Sequence, residues 1–166
     1  SNTIKGVFGL ATKLYGLHFT ENQNIIVFHP EVKGFDVTDA DGNYIGIIYT
    51  DFFPRESKRA GAWMTGFKDQ RIDKDGNNIR PHVSITMNFT RPTASTPALL
   101  TFSEVETFLH EFGHIAADGR AALKVSGYSR WLETEKCHHF LSFLADLPFV
   151  HLDMVFENEY RLYHYA

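Results

Sequence analysis

Residues 101–117, TFSEVETFLHEFGHIAA, decide the fold and raise the question of function. Ser103 and Glu106 stand three residues apart, which is the spacing of a capping box, so a helix is expected to start near residue 104. The residues that flank the two histidines of this stretch are apolar: Phe108, Leu109, Phe112 and Ile115. The pattern therefore predicts a helix that packs against a core and carries two histidines in its middle.

The two histidines, His110 and His114, lie one turn apart on the same face of such a helix. Neutral imidazole nitrogens bind zinc at about 2.0–2.1 Å, so both rings can reach one ion. Glu111 lies one residue further round the helix than His110, so its carboxylate is poorly placed to bind the ion. It is instead suited to accept a proton from an attacking water. The alternative interpretation is a helix that carries two histidines with no metal, since the five-residue pattern also occurs by chance.

Composition limits the classes of function. The 166 residues are 43% hydrophobic and 14% aromatic, and the formal net charge is −4. This composition predicts one globular domain with an aromatic core, and the absence of a basic patch argues against a nucleic-acid partner. No apolar run approaches the roughly 18 residues of a membrane span, so no membrane partner is expected. With Cys137 as its only cysteine, the chain forms no intrachain disulfide, which favours the cytoplasm and leaves the periplasm open.

The first half of the chain reads as one helix followed by strands. Residues 4–17 have helical spacing, with Gly16 as the stop signal. Residues 24–30, NIIVFHP, are rich in β-branched and aromatic residues and predict a strand that Pro30 closes. Residues 34–53 contain two strand-like runs around Asp41-Gly42, which is a strong hairpin signal.

Further along, residues 74–77 predict a turn, residues 82–90 a strand, and the proline-containing residues 91–98 an exposed loop. We therefore expect an α+β fold in a single domain over residues 1–166. Its sheet-containing half spans residues 1–100, and its helical half, with the two histidines, spans residues 101–166.

Several segments resemble, in order, the catalytic domain of the zinc oligopeptidases that include thimet oligopeptidase, oligopeptidase A and bacterial peptidyl-dipeptidase. These segments are YGLHF, VFHPEVKGFDVTDADGNYIGIIYTDFFPRESKRAGAW, MNFTRP and PALLTFSEVETFLHEFGH. The resemblance covers about residues 3–115, and the peptidyl-dipeptidase branch is the most similar. It implies a zincin-like, mostly helical fold with a small antiparallel or mixed sheet beside an active-site helix.

The same resemblance implies a zinc-dependent enzyme that cleaves short oligopeptides, with dipeptide release as one form of the activity. It assigns His110 and His114 as ligands of Zn²⁺ and Glu111 as the general base. It also places the segment that contains Arg55, Lys58 and Arg59 near the substrate channel, although a solvated charged face explains these residues equally well.

After Ile115 the sequence departs from the family, so the third zinc ligand stays open. A family histidine position holds Ala117 here. Glu133 follows His114 after 18 intervening residues and Glu135 after 20; a loose alignment of Ser126-Gly127 and Trp131 favours Glu135. Two further groups have suitable chemistry but unfamiliar spacing. The potential metal ligands are Cys137, His138, His139 and His151, and the potential oxyanion donors are Tyr160, Tyr163, His164 and Tyr165.

Family members are several times longer than 166 residues, so the chain is expected to be a piece of such an enzyme, a divergent short protein or an engineered piece. The main hypothesis is a zinc peptidase that acts on short peptides. The alternative is a catalytically inert zinc-binding remnant that serves as an interaction module. Exposed apolar faces would favour self-association in either case.

Overall fold

The computed structural model describes residues 2–117, which form two helices, a five-stranded sheet and a small two-stranded ribbon. The first helix, α1 (Asn2–Tyr15), ends nearly as the sequence predicts. Gly16 has a φ of +67°, and its N–H donates to the carbonyl oxygen of Thr12 at 2.9 Å. Glycine adopts this left-handed conformation without steric cost, which explains the helix stop.

Within the described residues seven strands follow α1, and five of them make the mixed sheet. In chain order they are β1 (His18–Glu21), β2 (Lys33–Thr38), β3 (Tyr44–Asp51), β4 (Trp63–Lys68), β5 (Arg71–Ile72), β6 (Asn78–Ile79) and β7 (His82–Thr86). The sheet order is β1-β2-β3-β7-β4, whereas β5 and β6 pair only with each other. All neighbours in the sheet are antiparallel except β3 and β7, which are parallel. The expected α+β class with a small mixed sheet is confirmed.

The predicted Asp-Gly hairpin is confirmed as β2 and β3. The Asp39 carboxylate accepts the backbone N–H groups of Asp41 at 3.0 Å and Asn43 at 2.8 Å, and Gly42 has a φ of +82°. The hydrogen bond from the Asn43 side chain, followed by the one from its backbone, holds the pKa of Asp39 below its usual value. Residues 73–77 repeat the same loop between β5 and β6, which confirms the predicted turn.

The prediction of a strand over residues 24–30 is wrong. The side-chain oxygen of Asn22 accepts the N–H of Asn24 at 2.9 Å, and its carbonyl oxygen accepts the N–H of Ile25 at 3.3 Å, so the chain turns here. Ile26 is 91% exposed and Phe28 is half exposed. The edge position of the sheet is instead occupied by β1.

Strand β7 is shorter than the predicted strand over residues 82–90 because regular pairing ends at Thr86. The main-chain link to the end of β3 continues nevertheless. The N–H of Met87 donates to the carbonyl oxygen of Asp51, and that of Phe89 to the carbonyl oxygen of Phe52, each at 2.8 Å. Residues 91–98 form the predicted loop.

The second helix, α2 (Phe102–Ala117), begins two residues earlier than predicted. Thr101, not Ser103, is the capping residue. The N–H of Glu104 donates to Thr101 Oγ1 at 3.2 Å, and the carboxylate of Glu104 accepts the N–H of Thr101 at 2.7 Å. The Thr-x-x-Glu box at residues 101–104 satisfies two N-terminal amides and so outcompetes the Ser103–Glu106 alternative.

Both helices pack on the same face of the sheet and share one core. The core residues from the helices are Val7, Phe8, Ala11, Phe108, Leu109, Phe112 and Ile115; those from the strands include Phe35, Val37, Ile48, Val83 and Ile85. The rings of Phe8 and Phe112 lie 6.1 Å apart and link the two helices directly. The sheet therefore serves as the platform on which α2 is held.

We expect Thr101→Ala to destabilise the protein by about 1 kcal/mol, because it removes the side-chain cap of α2. Ser103→Ala, two residues along the same turn, should change the free energy of unfolding by less than about 0.5 kcal/mol. Urea denaturation of both variants measures the difference. Equal losses would show that the cap has been assigned to the wrong residue.

Phe108→Ala should cost about 3–5 kcal/mol, because the ring is fully buried between Phe52 and Phe89. Phe102 is the matched control, since it lies on the same helix but is 62% exposed. Its replacement by alanine should leave the urea midpoint nearly unchanged. A small loss at Phe108 would contradict the placement of α2 on the sheet.

Candidate metal centre

Helix α2 carries the three residues predicted from the sequence, His110, Glu111 and His114. The helix contacts β4 and β7, and its apolar residues, which include Phe108 and Phe112, belong to the shared core. His110 and His114 project from the other side of the helix and are half-buried. Because the two sides of the helix are fixed by the same packing, the direction of the imidazoles follows from the burial of the phenylalanines.

The two imidazoles converge. The Nε2 atoms of His110 and His114 are 3.0 Å apart, the ring centroids are 4.7 Å apart, and the ring planes are at 84° to each other. In this arrangement both nitrogens point at the same small volume next to the helix.

The two imidazole nitrogens fit two of the four ligand positions of a tetrahedral zinc site. Two nitrogens bound to one zinc at about 2.05 Å, with an angle of about 109°, would be about 3.3 Å apart, close to the 3.0 Å observed. Without a cation, one ring must donate an N–H to the other. Among residues 2–117, no group of three histidine, cysteine, aspartate or glutamate side chains is close enough to complete a site.

Glu111 lies beside the pair on the flank of α2 and is only 8% exposed. No hydrogen bond or ion pair joins its carboxylate to another of residues 2–117. A carboxylate that no neighbouring side chain pairs with is chemically suited to accept a proton or to interact with a ligand beside the histidines.

The three basic residues of the segment after β3 behave differently from one another. Lys58 is only 2% exposed at its side chain, and Arg55 is mostly buried and makes two hydrogen bonds to Asp51, at 2.7 and 2.9 Å. The solvated-face interpretation is wrong for these two, because both cations bind the same buried carboxylate. Arg59 is exposed and lies over the ring of Trp63, 4.9 Å from its centroid.

Sequence reasoning missed Asp51, the partner of these cations. Burial alone would raise the pKa of its carboxyl, but the hydrogen bonds from Arg55 and Lys58 outweigh burial and hold the pKa below its usual value. Burial lowers the pKa of Lys58, and the bond to Asp51 opposes that effect. The sequence did contain a signal for this pairing. Asp51 ends an otherwise apolar strand and precedes Arg55 by four residues and Lys58 by seven.

Comparison with known proteins identifies the family of the chain. Residues 1–120 match the model of peptidase family M3. The chain belongs to peptidase family M3. The resemblance noted from the sequence is thereby confirmed, and the pair on α2 stands within the matched part of the chain.

Individual M3 relatives agree with the family match. Oligopeptidase A of Escherichia coli (strain K12) is 38% identical over 114 residues, which cover 69% of this chain and 17% of the relative. The dipeptidyl carboxypeptidase of Salmonella typhimurium is 41% identical over 115 residues, or 68% of this chain and 16% of the relative. The thimet-like oligopeptidase of Dictyostelium discoideum is 42% identical over 114 residues, or 68% of this chain and 17% of the relative. The chain thus spans about a sixth of the length of the M3 proteins it matches.

The remaining site predictions fall on residues 118–166, outside the described part of the chain. They comprise the third-ligand candidates Glu133 and Glu135, the further metal-ligand candidates Cys137, His138, His139 and His151, and the oxyanion candidates Tyr160, Tyr163, His164 and Tyr165. All of them stay predictions. Ala117, where M3 proteins were expected to have a histidine, is the last residue of α2. None of the helices described in residues 2–117 is both long and apolar enough to cross a bilayer.

We expect His114→Ala to weaken Zn²⁺ binding by more than the roughly 10- to 100-fold that loss of an outer-shell partner of a metal site costs. The reason is that one of the two converging nitrogens disappears. Competition against a chelating dye measures the affinity of the 166-residue chain. His18→Ala, at an exposed position on β1, is the control and should bind zinc like the parent. Equal affinities in the two variants would exclude His114 as a ligand.

Proposed function

We propose that this chain carries the metal-binding and proton-accepting half of a zinc peptidase site that hydrolyses peptide bonds in short oligopeptides. The observation that carries the proposal is the convergence of the His110 and His114 Nε2 atoms, 3.0 Å apart, beside the buried Glu111. Membership of peptidase family M3 supports peptide hydrolysis as the chemistry of this arrangement. The fold that we propose for the complete site is zincin-like, in one catalytic domain.

The two histidines would hold the metal, and their fixed spacing on one helix turn supports that role. We propose Glu135 as the third ligand, with Glu133 as the alternative. The two cannot ligate together from one helix, because they would point about 200° apart. When bound, zinc would polarise the scissile carbonyl and acidify the attacking water.

Glu111 would act as the general base. Its carboxylate takes the proton of the attacking water and returns it to the leaving amine, so it acts first as base and then as acid. Its low exposure supports this role, because a carboxylate with little bulk water around it has few competing proton donors and acceptors. Because it follows His110 directly on α2, Glu111 would stand next to the metal ligands without being one of them.

The substrate class that we propose is short peptides, with release of dipeptides from carboxyl ends as the specific form. Two of the M3 relatives are named oligopeptidase A and dipeptidyl carboxypeptidase, which supports both statements. We propose the cytoplasm as the compartment, with the periplasm as the alternative, because the sequence holds a single cysteine.

Glu111→Gln should leave Zn²⁺ affinity unchanged while hydrolysis of a fluorogenic peptide falls by roughly 10²–10⁴-fold, the usual contribution of a general base. Glutamine has the size of glutamate but cannot accept the proton. Glu106→Gln is the control, because Glu106 is exposed on the same helix and should retain full activity. A Glu111→Gln variant that cleaves as fast as the parent would exclude the assigned role.

A second candidate function is a zinc-binding module without catalysis. It is favoured by the finding that only two ligands converge within residues 2–117. The same assay separates the two functions, since the module binds zinc but shows no chelator-sensitive turnover. Either function would permit self-association through exposed apolar residues such as Ile26, Phe28 and Phe67, which light scattering would detect.

A further inference from the structure

Lys58, the buried lysine after β3, makes a set of hydrogen bonds that a role in ligand binding does not explain. The Lys58 ammonium donates to the carbonyl oxygens of Asp51 and Phe53, each at 2.9 Å, and to the carbonyl oxygen of Met87. It also donates to the carboxylate of Asp51 at 3.0 Å. Its three N–H groups serve four acceptors, so the polar capacity of the side chain is fully used within the protein.

These acceptors belong to two neighbouring strand ends. Asp51 is the last residue of β3, Phe53 lies two residues after it, and Met87 follows β7. Between β3 and β4 the chain must pass over the end of β7, because β7 lies between them in the sheet. Lys58 lies within this crossover, residues 52–62, and fastens it to the strand that it crosses.

Two further hydrogen bonds from the same strand end hold the last part of the crossover. The side-chain amide of Asn88 donates to the carbonyl oxygens of Arg59 at 3.0 Å and Gly61 at 2.7 Å. Strand β4 begins at Trp63, two residues later. The start of β4 is therefore set by contacts that Lys58 and Asn88 make, in addition to its pairing with β7.

The ends of β3 and β7 that Lys58 joins also contact α2. Phe52 and Phe89 lie close in sequence to residues that Lys58 contacts, and their ring centroids are 5.2 Å apart. Phe108 of α2 packs against both, at 5.0 Å and 6.1 Å. Since Phe108 lies two residues before His110, the same contacts determine where the histidine pair stands relative to β4.

We propose that Lys58 is a positioning residue, whose ammonium fixes the edge strand β4 and the helix α2 relative to each other. Its effect on catalysis rests on the proposed peptidase function, whereas its effect on structure does not. The carboxylate of Asp51 balances the buried charge, and Arg55 shares that carboxylate. Removal of the ammonium leaves the carbonyl oxygens of Phe53 and Met87 without this donor and the buried carboxylate of Asp51 with a single cation.

Lys58→Met tests the proposal, since methionine retains an unbranched apolar side chain without the ammonium. Backbone amide hydrogen exchange should accelerate by roughly 10- to 100-fold at Met87, Phe89 and in β4, the effect expected when buried acceptors lose a donor. Amides of β1 and β2 should change by less than about 3-fold. Lys33→Met is the matched control, because Lys33 is an exposed lysine that pairs with Glu21 on β1. Uniform acceleration across the sheet, or none, would overturn the proposal.

A chemical rescue keeps the test decisive if Lys58→Met does not fold. Lys58→Cys is unfolded, alkylated with 2-bromoethylamine to restore an ammonium of lysine length, and refolded. Iodoacetamide gives the neutral counterpart, and the parent chain treated in the same way controls for Cys137. Recovery of the exchange protection at β4 with the ammonium alone supports the proposal. Equal protection with both reagents contradicts it.

Metal titration and peptide hydrolysis separate this proposal from the proposed function. Zn²⁺ affinity should stay within about 3-fold of the parent in Lys58→Met, because both histidines lie on one helix and keep their mutual distance. Hydrolysis should fall more than about 10-fold as the surroundings of the pair shift. A parent chain that does not hydrolyse peptides overturns the proposed function, and the exchange pattern still decides the role of Lys58. Unchanged hydrolysis in an active Lys58→Met variant overturns the positioning role.

Discussion

The burial of the apolar side of α2 against the sheet is the interaction on which the rest of the structure depends. Phe108 enters a cluster with Phe52 and Phe89, and Phe112 contacts the aromatic rings of α1 and β1. Burial of each large side chain contributes about 1.5–3 kcal/mol, so these rings are a main source of the free energy that holds α2 on the sheet. The direction of the histidine pair is a consequence of this burial.

The polar contacts have a different role from the apolar ones. The Asp51–Lys58 pair is buried, and a buried ion pair often adds little net stability because both charges lose their hydration. Its value lies in geometry, since it fixes a crossover that must pass over a neighbouring strand. An apolar contact could fill the same volume, but it would leave the carbonyl oxygens of Phe53 and Met87 without a donor.

Local sequence signals predicted the elements whose ends depend on local chemistry. The Gly16 helix stop and the Asp-Gly hairpin follow from backbone preferences of a few residues, and both were predicted correctly. The segment 24–30 was predicted as a strand because it is rich in β-branched residues, yet Asn22 turns the chain there and β1 takes the edge of the sheet. The start of α2 contains two overlapping capping boxes, at residues 101–104 and 103–106. The sequence pattern does not show which set of hydrogen bonds forms.

Only the part of the candidate site that lies within one helix could be predicted from the sequence. His110, Glu111 and His114 share one helix, so their spacing in the sequence translates directly into geometry. The partners of Lys58 come from residues as far as 29 positions away, and no pattern within one segment reveals such contacts. The third zinc ligand has the same character, since it must reach the histidine pair from another element, and it stays a prediction.

Anomalous diffraction at the zinc absorption edge, from crystals of the 166-residue chain grown with zinc, tests the central claim most directly. We predict one strong peak at about 2.0–2.1 Å from the Nε2 atoms of both His110 and His114. A zinc peak bound by only one of these rings, or by neither, would contradict the account.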